Sequence, residues 1–334
     1  MVSEICHHLD GLPLAIELAA ARVSHLSLRT LLARLDRRLP LLVEGDRDLP
    51  ARLQTMRNAI AWSYDLLSAP ERQAFRCLAV FDGGFGLDAA EAVVNEVAAA
   101  ATGLAEAGPT HAPGVLDSLA SLVDNSLVRH EPGTGESPRY TMLETIREFA
   151  AEQLAAEGQE TAARQAHAAY FLSLAEQEEL AHFLPDGERR LDGLETEFAN
   201  MRAALTWWET TGQFAHRLTH AAALGGFWYA RVHVREGKAW LTRALDDQDL
   251  SPSPERARAL VWLSLIEFLR GEMTDTARHS TEGLRLCREL AGTWSVSGAS
   301  AAPAASPGPG APRSLTEAFA HYALGVATFH LGEP

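Results

Sequence analysis

Few residues in this chain have the type and spacing that chemistry needs. Of its 29 basic residues, 28 are arginine, and Lys238 is the single lysine. A phosphate-binding loop needs G-x-x-x-x-G-K-S/T, because the lysine reaches the phosphates and the hydroxyl holds magnesium. Lys238 stands in Arg235-Glu236-Gly237-Lys238-Ala239. The position of the earlier glycine is Val232, and Ala239 has no hydroxyl. His216 and His220 lie four apart, a spacing that zinc ligands on one helical face can have. Arg217 follows His216 where a His-Glu-x-x-His motif would have Glu, and no carboxylate or cysteine completes the set at motif spacing. Both are read as ordinary helix histidines, as are His7 and His8. No Gly-x-Ser-x-Gly elbow occurs. Arg189-Arg190 reads as a solvated pair. The expectation is therefore a chain without catalytic residues, metal or bound cofactor, and not an enzyme.

Gly11-Leu12-Pro13 reads from its residues alone as a helix entry turn, with Asp10 as cap and proline in the first turn. Cys6, Cys77 and Cys287 are far apart and odd in number, so a reducing cytosol is expected. No apolar run reaches membrane-spanning length, and the start lacks the basic-then-apolar order of a secretory signal. A cytoplasmic protein without membrane contact is the reading.

The chain has 334 residues and a net charge of -15, enough length for two or three domains. The acidic excess holds in every segment. Residues 52–150 alone carry 7 basic and 13 acidic residues. Nucleic-acid affinity rests on clustered Lys and Arg, and the candidate recognition helix over 115–125 contains Asp117 and Asp124 and neither basic type, so direct DNA binding is not expected.

The elements around these residues fall into an order. Ile5, Leu9, Leu12, Ile16 and Ala19 recur at helical spacing, and a second helix is predicted over 27–35 with Ser27 as cap. A helix over 53–67 precedes Ser68-Ala69-Pro70-Glu71, which has the form of a capping box. Val80-Phe81 then Gly83-Gly84-Phe85 reads as a short strand and turn, followed by a helix to about 97. The Ala/Gly/Pro-rich stretch 98–113 reads as a loop, and 115–125 as a further helix. A hairpin follows: 127–130, a turn at 132–135, then 139–142. A long helix covers 143–156. Three helices followed by a two-stranded wing is a winged-helix topology. Beyond residue 160 the pattern is helical, with aromatic stripes at Trp207-Trp208, Phe227-Trp228-Tyr229, Trp240 and Trp262. Residues 259–271 and 320–332 look alike at an offset that a low-complexity stretch over 292–312 explains. The fold class is mainly α. It divides into a helical piece over 1–51, a winged helix over 52–157 and tetratricopeptide-like repeats over 158–291. A disordered linker over 292–313 and an incomplete repeat over 314–334 follow.

Three segments carry a resemblance. HHLDGLPLAIELAAARV, residues 7–23, is similar to the GLPLA segment of NB-ARC-type ATPases, the signal-transduction (STAND) ATPases. Residues 57–85 and 121–154 resemble the winged-helix part of the same proteins. The later helices resemble the repeat sensors of large bacterial regulators, which often carry a LuxR-type or similar DNA-binding domain elsewhere. The resemblance implies that Gly11, Leu12 and Pro13 lie near the adenine in an intact parent that holds ATP or ADP. It also implies that Met142-Leu143-Glu144 stands at the family's Met-His-Asp, where the histidine senses the ADP phosphate. Leu143 cannot donate a hydrogen bond. The function expected is a non-enzymatic regulatory module of a STAND-type transcriptional regulator. Its winged helix would be a lid, and its repeats would receive a protein partner or a small-molecule inducer. Two alternatives stand beside it: part of an ATP-hydrolysing regulator whose nucleotide core lies elsewhere, and a winged-helix DNA-binding repressor.

Overall fold

The computed structural model describes residues 1–8, 16, 19–20, 23, 27–34, 56–102, 114–131, 138–246, 251–290 and 315–331. Gly11, Leu12 and Pro13, the His7 and His8 side chains, the 132–135 turn and the 292–313 linker lie outside what is described. The chain forms two compact units, Met1–Tyr170 and Phe171–Pro334. The architecture is mainly α with one small antiparallel sheet.

In the first unit, α1 (Val2–His8) and α2 (Leu28–Arg34) come first. The Ser27 hydroxyl accepts the Thr30 amide at 3.2 Å, the cap expected of a serine at this position. Then come α3 (Met56–Asp65), α4 (Ala69–Cys77), a 3-10 turn (Leu78–Val80) and β1 (Phe85–Gly86). These are followed by α5 (Leu87–Thr102), α6 (Val115–Asp124), β2 (Arg129–Glu131), β3 (Arg139–Thr141) and α7 (Glu144–Ala156). Helix–strand–helix–helix–strand–strand, with strand order β1-β3-β2, is a winged helix. Its core is Phe75, Leu78, Phe85, Val93, Leu119, Leu122 and Ala150, each 1% exposed or less. At the start of α4, Glu71 accepts the Ser68 amide at 2.6 Å. Hydrogen bonds from the Ser121 hydroxyl and the Ser68 amide hold the Glu71 carboxyl below its usual range.

Two elements differ from the sequence reading. Val80-Phe81 is no strand: Leu78–Val80 continues α4 as a 3-10 turn. Pairing starts only after Gly83, at φ 86°, reverses the chain. Gly84 then passes so close to β3 that a Cβ there would meet the Tyr140 carbonyl oxygen at 3.1 Å. The α5 helix also runs to Thr102, past Val97, because Ala98 to Ala101 are strong helix formers and nothing stops them earlier.

The second unit stacks helices. After α8 (Glu160–Glu178), in which the boundary falls, come α9 (Gly187–Thr196), α10 (Phe198–Thr210), α11 (Phe214–Ala230) and α12 (Val234–Leu245). Then follow α13 (Pro254–Leu269), α14 (Met273–Glu289) and α15 (Leu315–Leu331). From α11 onward, most helices pack on the next and the next but one. Trp208 on α10 and Trp228 on α11 are fully buried. The joints repeat one geometry. Gly212, Val232 and Gly271 have φ of 70°, 60° and 77°. Behind them the amides of Gln213, His233 and Glu272 donate to the carbonyls of Trp208, Trp228 and Glu267 at 2.9–3.0 Å. This is the closure of a left-handed helix stop.

Candidate nucleic-acid interface

The candidate surfaces of the winged helix are α6 and the wing strands β2 and β3. The sequence VLDSLASLVD makes α6 two-faced. Leu119 and Leu122 are buried, while Leu116, Asp117, Ala120 and Asp124 are exposed. No arginine or lysine lies on this helix. Asp117 is engaged: its carboxylate accepts the Gly114 amide at 3.3 Å and caps the helix. Asn125 and Ser126 end α6. Ser126 is left-handed at φ 58°, and the Leu127 amide donates to the Leu122 carbonyl at 2.9 Å. That tight turn aims β2 away from the helix.

The β2 strand is the sheet edge, and Arg129, His130 and Glu131 are all exposed. Glu131 accepts the Thr141 hydroxyl at 3.1 Å and lies opposite Arg139 in the register. His130 meets Tyr140 edge-on, ring centroids 5.8 Å apart. Arg129 makes no ion pair among the described residues. Arg129 and Glu131 thus both stand on the edge strand, and Arg139 stands on the central strand β3.

Behind the wing lies a cleft of about 570 Å³ between α3, the end of α6, β2 and the start of α7. Ile60, Leu127 and Ile146 give it an apolar floor, and Arg129 and His130 are in its lining. Met142-Leu143-Glu144 falls at the joint of β3 and α7. Leu143 is the residue before α7 and lines the cleft. Glu144 is taken by Arg147, at 2.8 and 2.5 Å. Arg147 also reaches the Ala79 carbonyl at 3.4 Å. The cleft is not legible in the sequence. Its lining comes from four elements, and only the proximity of Val128-Arg129-His130 to a turn hints at it.

The remaining candidate groups are structural. The buried His220 ring accepts from the Trp208 indole N–H at 3.3 Å, and His216 stacks on the same indole at 4.8 Å between centroids. Arg189 and Arg190 pair with Asp186 and Glu178 at 3.3 and 2.5 Å. Glu267, Glu272 and Asp275 lie close enough together to hold an ion. Lys238 occupies that position, on Glu267 at 3.1 Å and on Glu272. His279 holds the other Glu267 oxygen at 2.6 Å. Among the described residues, no helix is long and apolar enough to cross a membrane.

Residues 67–155 match the family described as a winged helix-turn-helix domain. The chain is similar to a Mycobacterium tuberculosis protein named "Putative HTH-type transcriptional regulator Rv0890c" and to its Mycobacterium bovis counterpart Mb0914c. Identity to each is 36% over 301 residues, covering 86% of this chain and 32% of the relative. It is also 39% identical over 158 residues to a second M. tuberculosis protein, Rv0894, which is named uncharacterized. That match covers 47% of this chain and 37% of the relative. The chain thus spans about a third of the length of these relatives. No solved structure matches it.

These findings overturn the expectation of no direct DNA contact. Residues 67–155 match a winged helix-turn-helix family, and similar proteins are named HTH-type transcriptional regulators, which points to DNA. The expectation rested on an α6 without Arg or Lys and on net charge, which sums over all faces of the module. Phosphate contact depends on the local field at one edge.

Proposed function

We propose that this chain is the DNA-contacting and signal-receiving part of a transcriptional regulator. The observation that carries the reading is the match of residues 67–155 to a winged helix-turn-helix family, with Arg129 exposed on the edge strand of the wing. On this reading Arg129 contacts phosphate; Arg139, on β3, lies opposite Glu131. The α6 helix offers Leu116 and Ala120 for apolar contacts to bases; its Asp117 and Asp124 disfavour close phosphates. The stacked helices of the second unit resemble tetratricopeptide repeats. On this reading they receive the signal, a protein partner or a small-molecule inducer, in the cytoplasm.

The test is selection of duplex DNA from a random pool on the purified full chain, followed by anisotropy titration at two salt concentrations. Sequence-selective binding that weakens with salt is expected. Binding no tighter than to a scrambled duplex would overturn the reading.

A second reading is favoured by motif order. Residues 7–23, 57–85 and 121–154 follow one another as in STAND regulators. In such a parent, Gly11-Leu12-Pro13 would lie beside the adenine of ATP or ADP, and the winged helix would close over the nucleotide. The chain itself has no G-x-x-x-x-G-K-S/T, so we read it as non-enzymatic. Nucleotide titration of this chain is expected to show no saturable binding, and micromolar affinity would refute that.

A further inference from the structure

The cleft behind the wing has a chemistry that the surrounding module lacks. Residues 52–150 carry 13 carboxylates against 7 arginines. Among the described residues, no carboxylate lies in the lining of the cleft. Ile60, Leu127 and Ile146, each 5% exposed or less, form its floor, and Leu143 adds a wall. Ser63, Asn125 and Ser126 supply short polar groups, and His130 a ring. The cation in the lining, Arg129, has no carboxylate partner among the described residues. A space of about 570 Å³ is in the range of small-molecule sites. An apolar floor beside such a guanidinium selects by charge. An ammonium would meet like charge, a neutral chain would leave the guanidinium without a partner, and a carboxylate satisfies it with paired N–H···O bonds.

We infer that this cleft binds a small organic acid, one carboxylate on an apolar body, and that the bound acid takes Arg129 away from DNA phosphate. The second half rests on the DNA-contacting role proposed above; the first half does not. The linkage is short. Arg129 stands both in the cleft lining and on the exposed edge of the wing. One guanidinium cannot hold a ligand carboxylate and a phosphate in the same geometry. Val123 and Asn125, at the end of α6, share the lining, so an occupant also touches the helix that faces the bases. Occupancy therefore lowers DNA affinity.

The test uses the full chain and three probes of one length: octanoate, octan-1-ol and octylamine. Isothermal titration without DNA is the first arm. Saturable octanoate binding is expected, at least about tenfold tighter than either other probe, the ratio that loss of one charge-assisted hydrogen bond gives. Arg129→Gln should weaken octanoate to the level of the alcohol. Ala59→Phe, which places a ring in the cleft from α3, should abolish binding of all three while the circular dichroism spectrum is unchanged. Equal affinity for octanol or octylamine would overturn the assignment, as would octanoate binding that ignores both variants or does not saturate. The second arm adds octanoate to a preformed complex with selected DNA. Release that Ala59→Phe prevents supports competition; retention of DNA at saturating octanoate overturns it. If no DNA is selected at all, the function proposed above fails, while the first arm still decides the ligand.

Discussion

Gly225→Ala in α11 sets two physical effects against each other, and the structure decides the sign. Helix propensity favours the change: alanine in a helix interior is better than glycine by about 1 kcal/mol. Packing opposes it. A Cβ on Gly225 would stand 2.2 Å from Cγ, 2.4 Å from Cδ1 and 2.5 Å from Cβ of Trp262. Rotating the indole cannot relieve this, because the Trp262 Cβ is fixed to the α13 backbone. The helix itself must move by about 1 Å to restore ordinary contact. Trp262 is 4% exposed and lies against Tyr229 and Phe319, at 6.2 and 5.6 Å between centroids. Overpacking of this severity costs upwards of about 3 kcal/mol. Net of propensity, the second unit should lose about 2–3 kcal/mol. For a unit of this size, each kcal/mol moves Tm by about 2–4 °C. Differential scanning calorimetry of the full chain should therefore show the Phe171–Pro334 transition lowered by about 4–12 °C. The control is Gly193→Ala in α9, where a Cβ meets nothing within 4 Å; that variant should melt at or above wild type. A Gly225→Ala protein that melts with the control, unchanged or higher, would refute the reasoning, since propensity would then have won.

Four further outcomes are expected. Val232→Gly should raise the same transition by about 2–4 °C, because a β-branched residue at φ 60° carries strain that glycine does not. Lys238→Met should destabilise the unit by about 2 kcal/mol in urea titration. It leaves the 1%-exposed Glu267 with His279 alone, and the 29% exposure of Lys238 keeps the loss below that of a fully buried pair. Burial pushes the thiols of Cys77 and Cys287 up to about 12. Brief maleimide labelling at neutral pH should therefore leave both unmodified in native protein and label both in urea, as read by peptide mass spectrometry. Arg129→Ala should weaken DNA binding across sequences and reduce the slope of log affinity against log salt by about 1. An unchanged slope would remove Arg129 from the interface.

Much of the fold is local, and so it is legible in the sequence. The Ser68–Glu71 capping box, the Ser27 cap and the helical stops at Gly212 and Gly271 depend on residues within a few positions of one another. So does the alternation that marks the wing. Helical spacing alone puts Leu119 and Leu122 on one face of α6 and Asp117 and Asp124 on another. The absence of a phosphate-binding loop around Lys238 needs nothing but the residue order.

Tertiary structure decided what depends on elements meeting. Val80-Phe81 has the residues of a strand, yet it stays out of the sheet, because pairing geometry is available only beyond Gly83. Val232 gives no sequence signal of a helix stop; it takes the left-handed conformation because the helices on either side are held by their packing. In the sequence Lys238 is only the single lysine, and the fold buries its partner Glu267 beneath it. Segment charge is sound as a sum and misleading as a guide to partner. The sum does not record that the tight turn at Ser126 brings Arg129 to the outer edge of the sheet. The same turn brings β2 beside α3 and α7, around a cleft that has no carboxylate among its described lining residues. Distances between residues remote in sequence set that local field, and no one-dimensional count contains them.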